Sequence, residues 1–445
     1  MKNCYLFQPQ YGAEINGQEQ YWLPYSIGTL WAYASQFDDI AKNWKLGGLY
    51  FKRTPISSVI EELENPDLCG FSTYVWNKNY CFKLAKAIKE KWPNCKIIFG
   101  GPSITEKYLE HEYIDSIVLK EGEISFLEIL RNIDSLKSCY HGTRINDLTQ
   151  LPSPYATGIF DELVRKNPTY SWNATLETNR GCPYSCTFCD WGGLTANKVK
   201  MFDINRVFSD IEWIGANPVK SAFITDANFG IFKQRDLDIA KKINTIINTT
   251  ALEYIAVNYA KNSNELVFDI QKLINDISYR GITLTVQSMN DETLEVIKRK
   301  NMAINDLKNL LELSKKYNIP NYTEVILGLP KETKESWIAG ICKLLELGQH
   351  NYIFLQIAQI IENTELADVQ VEQYGIKTVN LKNAFRHNNI ANSEDIEEFS
   401  DIVCATNDMS TEDIIDCYLY TWMIQHYHIN GYSQILSKYC NNVLD

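Results

Sequence analysis

Three cysteines, Cys182, Cys186 and Cys189, fall within eight residues in the segment Asn179–Gly193. Thiolates are soft ligands, suited to iron–sulfur clusters and to zinc. Gly181 and Pro183 flank the first cysteine and interrupt regular structure, so the chain can curl and bring the sulfurs together. A zinc site would normally add a fourth Cys or His at similar local spacing, and none stands nearby. Three protein ligands on a four-iron cluster leave one iron open to a small chelating molecule.

The Cys-x3-Cys-x2-Cys loop resembles the signature of the radical S-adenosylmethionine (SAM) superfamily. The resemblance implies a 4Fe–4S cluster on Cys182, Cys186 and Cys189, with SAM chelating the open iron and cleaved there to a 5′-deoxyadenosyl radical. It also implies a role near the adenine for Phe188, the aromatic residue before the third cysteine. Further segments follow in the family's order. Thr225–Gly230 carries Asp226 and Asn228. Val286–Asn290, leading to Arg299, resembles the "QS…L…R" stretch of the B12-type and methylthiotransferase-type members, with Gln287 and Ser288. Gly328–Thr333 resembles their "GLPxET" turn. These residues, Gly328 included, are the candidate SAM contacts; turn or helix-cap duty is the alternative for each.

An αβ domain ahead of such a core resembles the cobalamin-binding domain of the B12-dependent (class B) branch. Gly70–Asn77 resembles a "GFSxYxWN" segment, with Ser72, Trp76 and Asn77. Gly100, Gly101 and Pro102 would let backbone approach a bulky ligand, and Glu121-Gly122-Glu123 resembles a recurring "EGE" turn. All three follow predicted strands, at the ligand edge of an open parallel sheet. The Asp-x-His-x-x-Gly motif that supplies a histidine to cobalt in many cobalamin domains is missing, so Trp76 is the candidate for the lower face, with core packing as its alternative.

The elements that must carry these loops come from periodicity. Residues 1–140 alternate short apolar runs (Tyr5–Gln8, Leu49–Phe51, Leu68–Thr73, Lys96–Gly100, Ile117–Lys120) with helical patterns (Ser26–Phe37, Ile56–Glu64, Tyr80–Trp92, Ser125–Ile133). That rhythm predicts an α/β, doubly wound, Rossmann-like sheet. Residues 141–170, with Pro152 and Pro154, read as a linker. Residues 171–365 offer six strands, Thr175–Thr178, Ala222–Thr225, Tyr254–Val257, Thr283–Gln287, Thr323–Leu327 and Tyr352–Ile357, as expected of a partial (β/α)6 barrel whose chemistry sits at the C-terminal strand ends. Residues 366–445 read as a small, mostly helical cap or substrate segment.

Composition bounds the function. A net charge of −12 gives no bulk attraction to nucleic acid or anionic membranes, and 45% hydrophobic residues support buried cores. Twelve cysteines without a signal-like N-terminus read as reduced thiols in the cytoplasm, the nine outside the loop as small core residues. The resemblance then implies a cobalamin-dependent radical SAM methyltransferase acting on an unactivated carbon (or phosphorus) of a small natural product or peptide. An electron donor such as flavodoxin or ferredoxin would serve it. A B12-linked radical oxidase or cyclase, a tRNA methylthiotransferase-like enzyme and a non-enzymatic iron–sulfur or cobalamin-binding protein are the alternatives; the acidic stretch Asn392–Glu398 disfavours RNA.

Overall fold

The computed structural model describes residues 1–191, 198–247, 249–260, 264–383 and 396–443. Part of the acidic stretch 392–398 lies outside the described residues.

The N-terminal sheet has six parallel strands in the order Trp44–Lys52, Lys2–Gln10, Leu68–Ser72, Lys96–Gly100, Ser116–Leu119 and Cys139–His141. Alternate residues of each strand enter opposite cores, as the period of two requires. Cys4, Leu6, Leu68, Ile98 and Val118 pack with Ile27, Trp31 and Phe126 from helices Tyr25–Ser35 and Glu123–Arg131. Tyr5, Phe7, Cys69, Phe71, Ile97 and Phe99 pack with Val59, Tyr80, Leu84 and Ile88 from helices Ile56–Glu62 and Lys78–Lys91. Helices thus cover both faces. Strand order reverses beside Lys2–Gln10, between the second and third strands, and in such sheets ligands bind past the strand ends at that switch point.

Six parallel strands follow in two hydrogen-bonded groups: Ser171–Leu176, Val219–Phe229 and Tyr254–Tyr259, then Ile282–Thr283, Asn321–Leu327 and Tyr352–Ile357. The first group carries two strands from the far N-terminus. Ala13–Ile15 and Gln18–Trp22 form a hairpin whose turn residues Asn16 and Gly17 both have positive φ (54° and 76°), and Gln18–Trp22 runs parallel to Ser171–Leu176. Periodicity did not reveal this hairpin, because its polar residues interrupt the alternation. Two expected strands stop early. Lys120, at φ 67°, ends the strand Ser116–Leu119 one residue before its expected limit. Regular pairing in the fourth barrel strand is confined to Ile282–Thr283, with one bridge from Gln287 to Val325.

The expected linker is packed. Leu148, Leu151, Tyr155 and Phe160 are buried in the shared core, and the Ser153 hydroxyl donates to the Asp210 carboxylate. Beyond the barrel, an antiparallel ribbon (Lys377–Lys382 with Phe399–Ala405) precedes helix Thr411–Met423, whose N-terminus carries a Ser410/Asp413 capping box. No helix among the described residues is long and apolar enough to cross a membrane.

Candidate active site

The cysteine loop leaves the first barrel strand and is held by one buried carboxylate at its entry and by backbone bonds further along. Asp226, buried at the end of the second strand, accepts from Thr178 N (2.8 Å), Asn179 N (3.1 Å), Asn179 Nδ2 (2.6 Å) and the Thr178 hydroxyl. Burial pushes this carboxyl up to about 7, against the pull of those donors. Asp226 therefore fixes the turn into the loop; its oxygens point at chain, where the sequence had suggested a ligand contact. Further along, Thr187 N donates to Ile297 O (3.1 Å), Leu366 N donates to Thr187 O (2.9 Å), and Cys189 N donates to Cys186 O (3.1 Å). Cys182 and Cys186 are buried and Cys189 half-buried. Asn228 Nδ2 donates to Cys182 Sγ at 3.3 Å, and Phe188 is half-buried against the core.

Arg299 brings a cation to this loop. It is 4% exposed, its Nη2 donates to Thr285 O (2.9 Å), and its guanidinium lies 5.7 Å from the Tyr184 ring. Burial pushes it below its ordinary value, while the Cys186 thiol, the Tyr184 hydroxyl and the Cys182 thiol act the other way. Its Nε and Nη1 are buried without a hydrogen-bond partner. Such orphaned donors are costly unless an anion meets them. An anionic cluster with a carboxylate-bearing ligand on its open iron fits that need.

The two flanking motifs lock onto each other. Ser288 donates to Glu332 Oε2 (2.5 Å), Ser336 donates to Glu332 Oε1 (2.5 Å), and Asn290 Nδ2 donates to Lys331 O (3.0 Å). Ser288 is thus engaged by the Gly328–Thr333 turn. Gln287 sits in the left-handed region and exchanges backbone bonds with Glu324 and Ile326. Strain of this kind, in a residue without glycine's freedom, is common at functional sites. Gly328, at φ 87°, packs beneath Val403 of the ribbon; an added Cβ would lie 3.1 Å from its Cγ1.

One cavity of about 340 Å³ opens between the barrel and the N-terminal sheet. The sheet contributes Ser72, Gly100, Gly101, Glu121, Gly122 and Glu123, and the barrel side contributes Asn179, Arg180, Gly181, Trp191, Thr225 and Ala227. The cavity lies past the strand ends at the switch point. Gly101 adopts φ 99°, and a Cβ there would meet Thr73 O at 2.5 Å. Ser72, Ser26, Gln8 and Tyr74 form a hydrogen-bonded chain, with Ser26 Oγ 3.0 Å from Ser72 Oγ and donating to Gln8 Oε1 (2.7 Å). Tyr74 lines the cavity, and Trp76 stacks on it at 4.4 Å. Trp76 is thus one ring removed. Asn77 spends its amide on Pro9 O (2.9 Å), Ser72 O (3.1 Å) and Tyr74 N (2.8 Å), and Pro102 O accepts from Asn363 (2.9 Å). Both hold loops.

The Glu121–Glu123 turn does more than line the cavity. Arg180, two residues before Cys182, pairs with Glu123 (2.7 Å), Glu177 (2.8 Å) and Glu121 (3.4 Å), and Arg144 lies 3.3 Å from Glu121. Burial works against the Arg180 charge, but Glu123, Glu177 and Glu121 together raise it well above its ordinary value. Arg144 also donates to Arg180 O (2.5 Å). An ion cluster thus joins the sheet to the cysteine loop. The sequence reading missed Arg180 and Arg144. An arginine leaving a buried strand requires acidic partners, and Glu121 and Glu123 were already in view.

Residues 176–339 match the family model described as the radical SAM superfamily. The chain is 34% identical over 446 residues to the 2-(S-pantetheinyl)-carbapenam-3-carboxylate methyltransferase of Streptantibioticus cattleyicolor, across 94% of this chain and 65% of that protein. It is 35% identical over 442 residues to the cobalamin-dependent radical SAM methyltransferase TokK of Streptomyces tokunonensis, across 93% of this chain and 64% of that protein. The chain therefore spans just under two thirds of the length of these curated relatives. The solved structure of the cobalamin-dependent SAM radical enzyme OxsB, with aqua-cobalamin and SAM bound, shares the fold. Its TM-score is 0.64 at 15% identity, covering 95% of this chain and 66% of that one.

Proposed function

The chain belongs to the radical SAM superfamily, and on that premise we propose that it is a cobalamin-dependent methyltransferase acting on an unactivated carbon (or phosphorus) of a small molecule. One observation carries the reading: a cysteine loop and the switch point of a doubly wound sheet open onto the same cavity. Bound there, a cluster with SAM supplies a hydrogen-abstracting 5′-deoxyadenosyl radical, and cobalamin supplies a methyl group. An unactivated C–H bond cannot attack a methyl donor by displacement, so a positioned base alone would not serve.

In this reading the chain's own residues bind and orient. Cys182, Cys186 and Cys189 ligate the cluster, while Asn228 donates to the Cys182 sulfur and tempers its charge. Arg299 would offer its two unpartnered donors to the carboxylate of SAM, and Phe188 would supply an aromatic ring for its adenine. Gly100 and Gly101 admit a corrin edge to the sheet, and Ser72 and Tyr74 offer hydroxyls to its amides. Tyr74, backed by the stacked ring of Trp76, would offer cobalamin an aromatic wall. The substrate class is a small natural product or peptide, and the name of the Streptantibioticus relative makes a carbapenam carboxylate the first compound to try. A flavodoxin- or ferredoxin-type donor would supply electrons.

The test uses methyl-labelled SAM with reductant and such a substrate. Labelled product should appear with one S-adenosylhomocysteine and one 5′-deoxyadenosine per methyl transferred. Product that gains no methyl while 5′-deoxyadenosine accumulates would replace this reading with an oxidative or cyclising one.

A further inference from the structure

Away from the cavity, the last strand of the N-terminal sheet, Cys139–His141, sends Cys139 and His141 to one face, as residues two apart on a strand must. The turn Glu106–Glu110 brings a carboxylate to the same place. The Cys139 Sγ, a His141 ring nitrogen and a Glu106 carboxylate oxygen all lie within 4.8 Å of one another. His141 Nε2 is 3.8 Å from Cys139 Sγ and 3.7 Å from Glu106 Oε1.

The second separation is too long for a hydrogen bond, and the first is at the outer limit even for sulfur. Three polar groups therefore converge without bonding one another well. Both separations do suit neighbouring corners of a tetrahedron around one ion. Zinc bonds of about 2.0–2.1 Å to nitrogen, about 2.3 Å to sulfur and about 2.0–2.2 Å to oxygen put such corners roughly 3.4–3.6 Å apart. These two separations close by a few tenths of an ångström, and the thiol-to-carboxylate separation, within 4.8 Å, closes by about an ångström at most. The side chains of His141 and Glu106, 64% and 63% accessible, are free to make that adjustment. That openness leaves the fourth corner to water.

We infer that Glu106, Cys139 and His141 form a binding site for a divalent cation of the zinc class, with one thiolate, one imidazole, one carboxylate and one water as ligands. The mixed soft and borderline donor set favours zinc over magnesium or calcium, which prefer all-oxygen cages. Burial and Glu106 hold the Cys139 thiol above its ordinary value, and a bound cation would reverse this, releasing the thiol proton to solvent. The ion would brace the sheet's outermost strand against the 106–110 turn. Three residues past His141, Arg144 joins the ion cluster around Arg180, so the brace would steady the approach to that joint.

The site does not depend on the proposed methyl transfer and is tested without turnover. The full chain, with its cluster reconstituted so that the loop cysteines are occupied, is reduced, equilibrated with zinc and desalted. The native chain should retain one zinc more than the Cys139→Ala/His141→Ala variant. With cobalt(II) in place of zinc, it should give a thiolate-to-metal charge-transfer band and tetrahedral ligand-field bands that the variant lacks. Equal zinc in both, no zinc in either, or an octahedral cobalt spectrum without the thiolate band overturns the inference. If the double variant fails to fold, Glu106→Ala carries the test from an exposed turn. It must weaken zinc binding, and unchanged affinity in that variant is equally fatal.

Discussion

Around the cysteine loop, whose flanking residues Gly181 and Trp191 reach the cavity, chemistry-bearing side chains are concentrated: three thiols, an amide on one of them, and a buried arginine with two unpartnered donors. At the edge supplied by the N-terminal sheet, side chains are withdrawn. Glycines stand at 100, 101 and 122, Asn77 is folded back into its own loop, and the acids at 121 and 123 are turned toward Arg180. One edge is shaped to grip a small charged group by ligand bonds and ion pairing. The other is shaped to leave space for a broad body. On the proposed reading this contrast suits two cofactors of very different size: a ligand held by covalent-like bonds needs few contacts, whereas a large one needs area and a backbone that does not obstruct it.

Removing the grip should have the largest effect. A Cys182→Ala/Cys186→Ala/Cys189→Ala variant should carry no iron or sulfide after anaerobic reconstitution and form no 5′-deoxyadenosine. Its cobalamin binding should survive, measured by the absorbance of the retained corrin. Loss of both together would mean that the edges are not separate devices.

Next comes the joint between them. Arg180→Met leaves Glu121, Glu123 and Glu177 around an uncharged side chain, and stranded buried charge costs about 3–5 kcal/mol. The melting temperature should fall accordingly. Glu123→Gln, which removes only one partner, should fall less. Equal losses would show that the cluster does not act through Arg180.

A milder change tests the empty edge. Gly101→Ala forces a Cβ into Thr73 O at a left-handed φ, a strain on the order of 1–3 kcal/mol. Cobalamin affinity should drop while cluster iron stays unchanged. Undiminished cobalamin binding would mean that this edge tolerates bulk and that its glycines serve only the turn.

The smallest effect lies outside both edges and acts as a control. His350 Nδ1 and His428 Nε2 are 3.1 Å apart, and burial, with Lys438, His428 and Lys315 nearby, lowers His350 from 6.5 to about 4. Between those values the unfolded chain binds the proton that the folded chain refuses. Its contribution to stability is therefore present above pH 6.5 and is lost as pH falls toward 4. Thermal melts across that range should steepen their decline for the native chain relative to His350→Gln. A parallel decline in both would remove the histidine pair from the account.

Much of this was legible in the sequence, for identifiable reasons. The cysteine spacing is local, so the loop could be read without a fold. Lys96–Gly100 and Tyr352–Ile357 were found to the residue because each is an apolar run several residues long. What escaped depends on distant partners. Asp226 and Ser288 are polar residues near strand ends, and nothing in their neighbours tells a ligand contact from a loop staple. That distinction rests on Thr178 and Asn179 in one case and on Glu332 in the other. The ribbon 377–382/399–405 was hidden for a similar reason: its first strand is exposed throughout and carries no burial pattern.

The hairpin at residues 13–22 has a consequence for how the chain is made. Gln20 pairs with Ser171, so this strand emerges from the ribosome about 150 residues ahead of its partner. At about 5–20 residues per second, it waits on the order of ten seconds with an unmatched edge. Contacts closing so long a loop are slow to form and invite pairing with other chains meanwhile. Expression at lower temperature or with holding chaperones should therefore raise soluble yield. A barrel fragment begun after residue 140 should aggregate, having lost the strand that covers Ser171–Leu176.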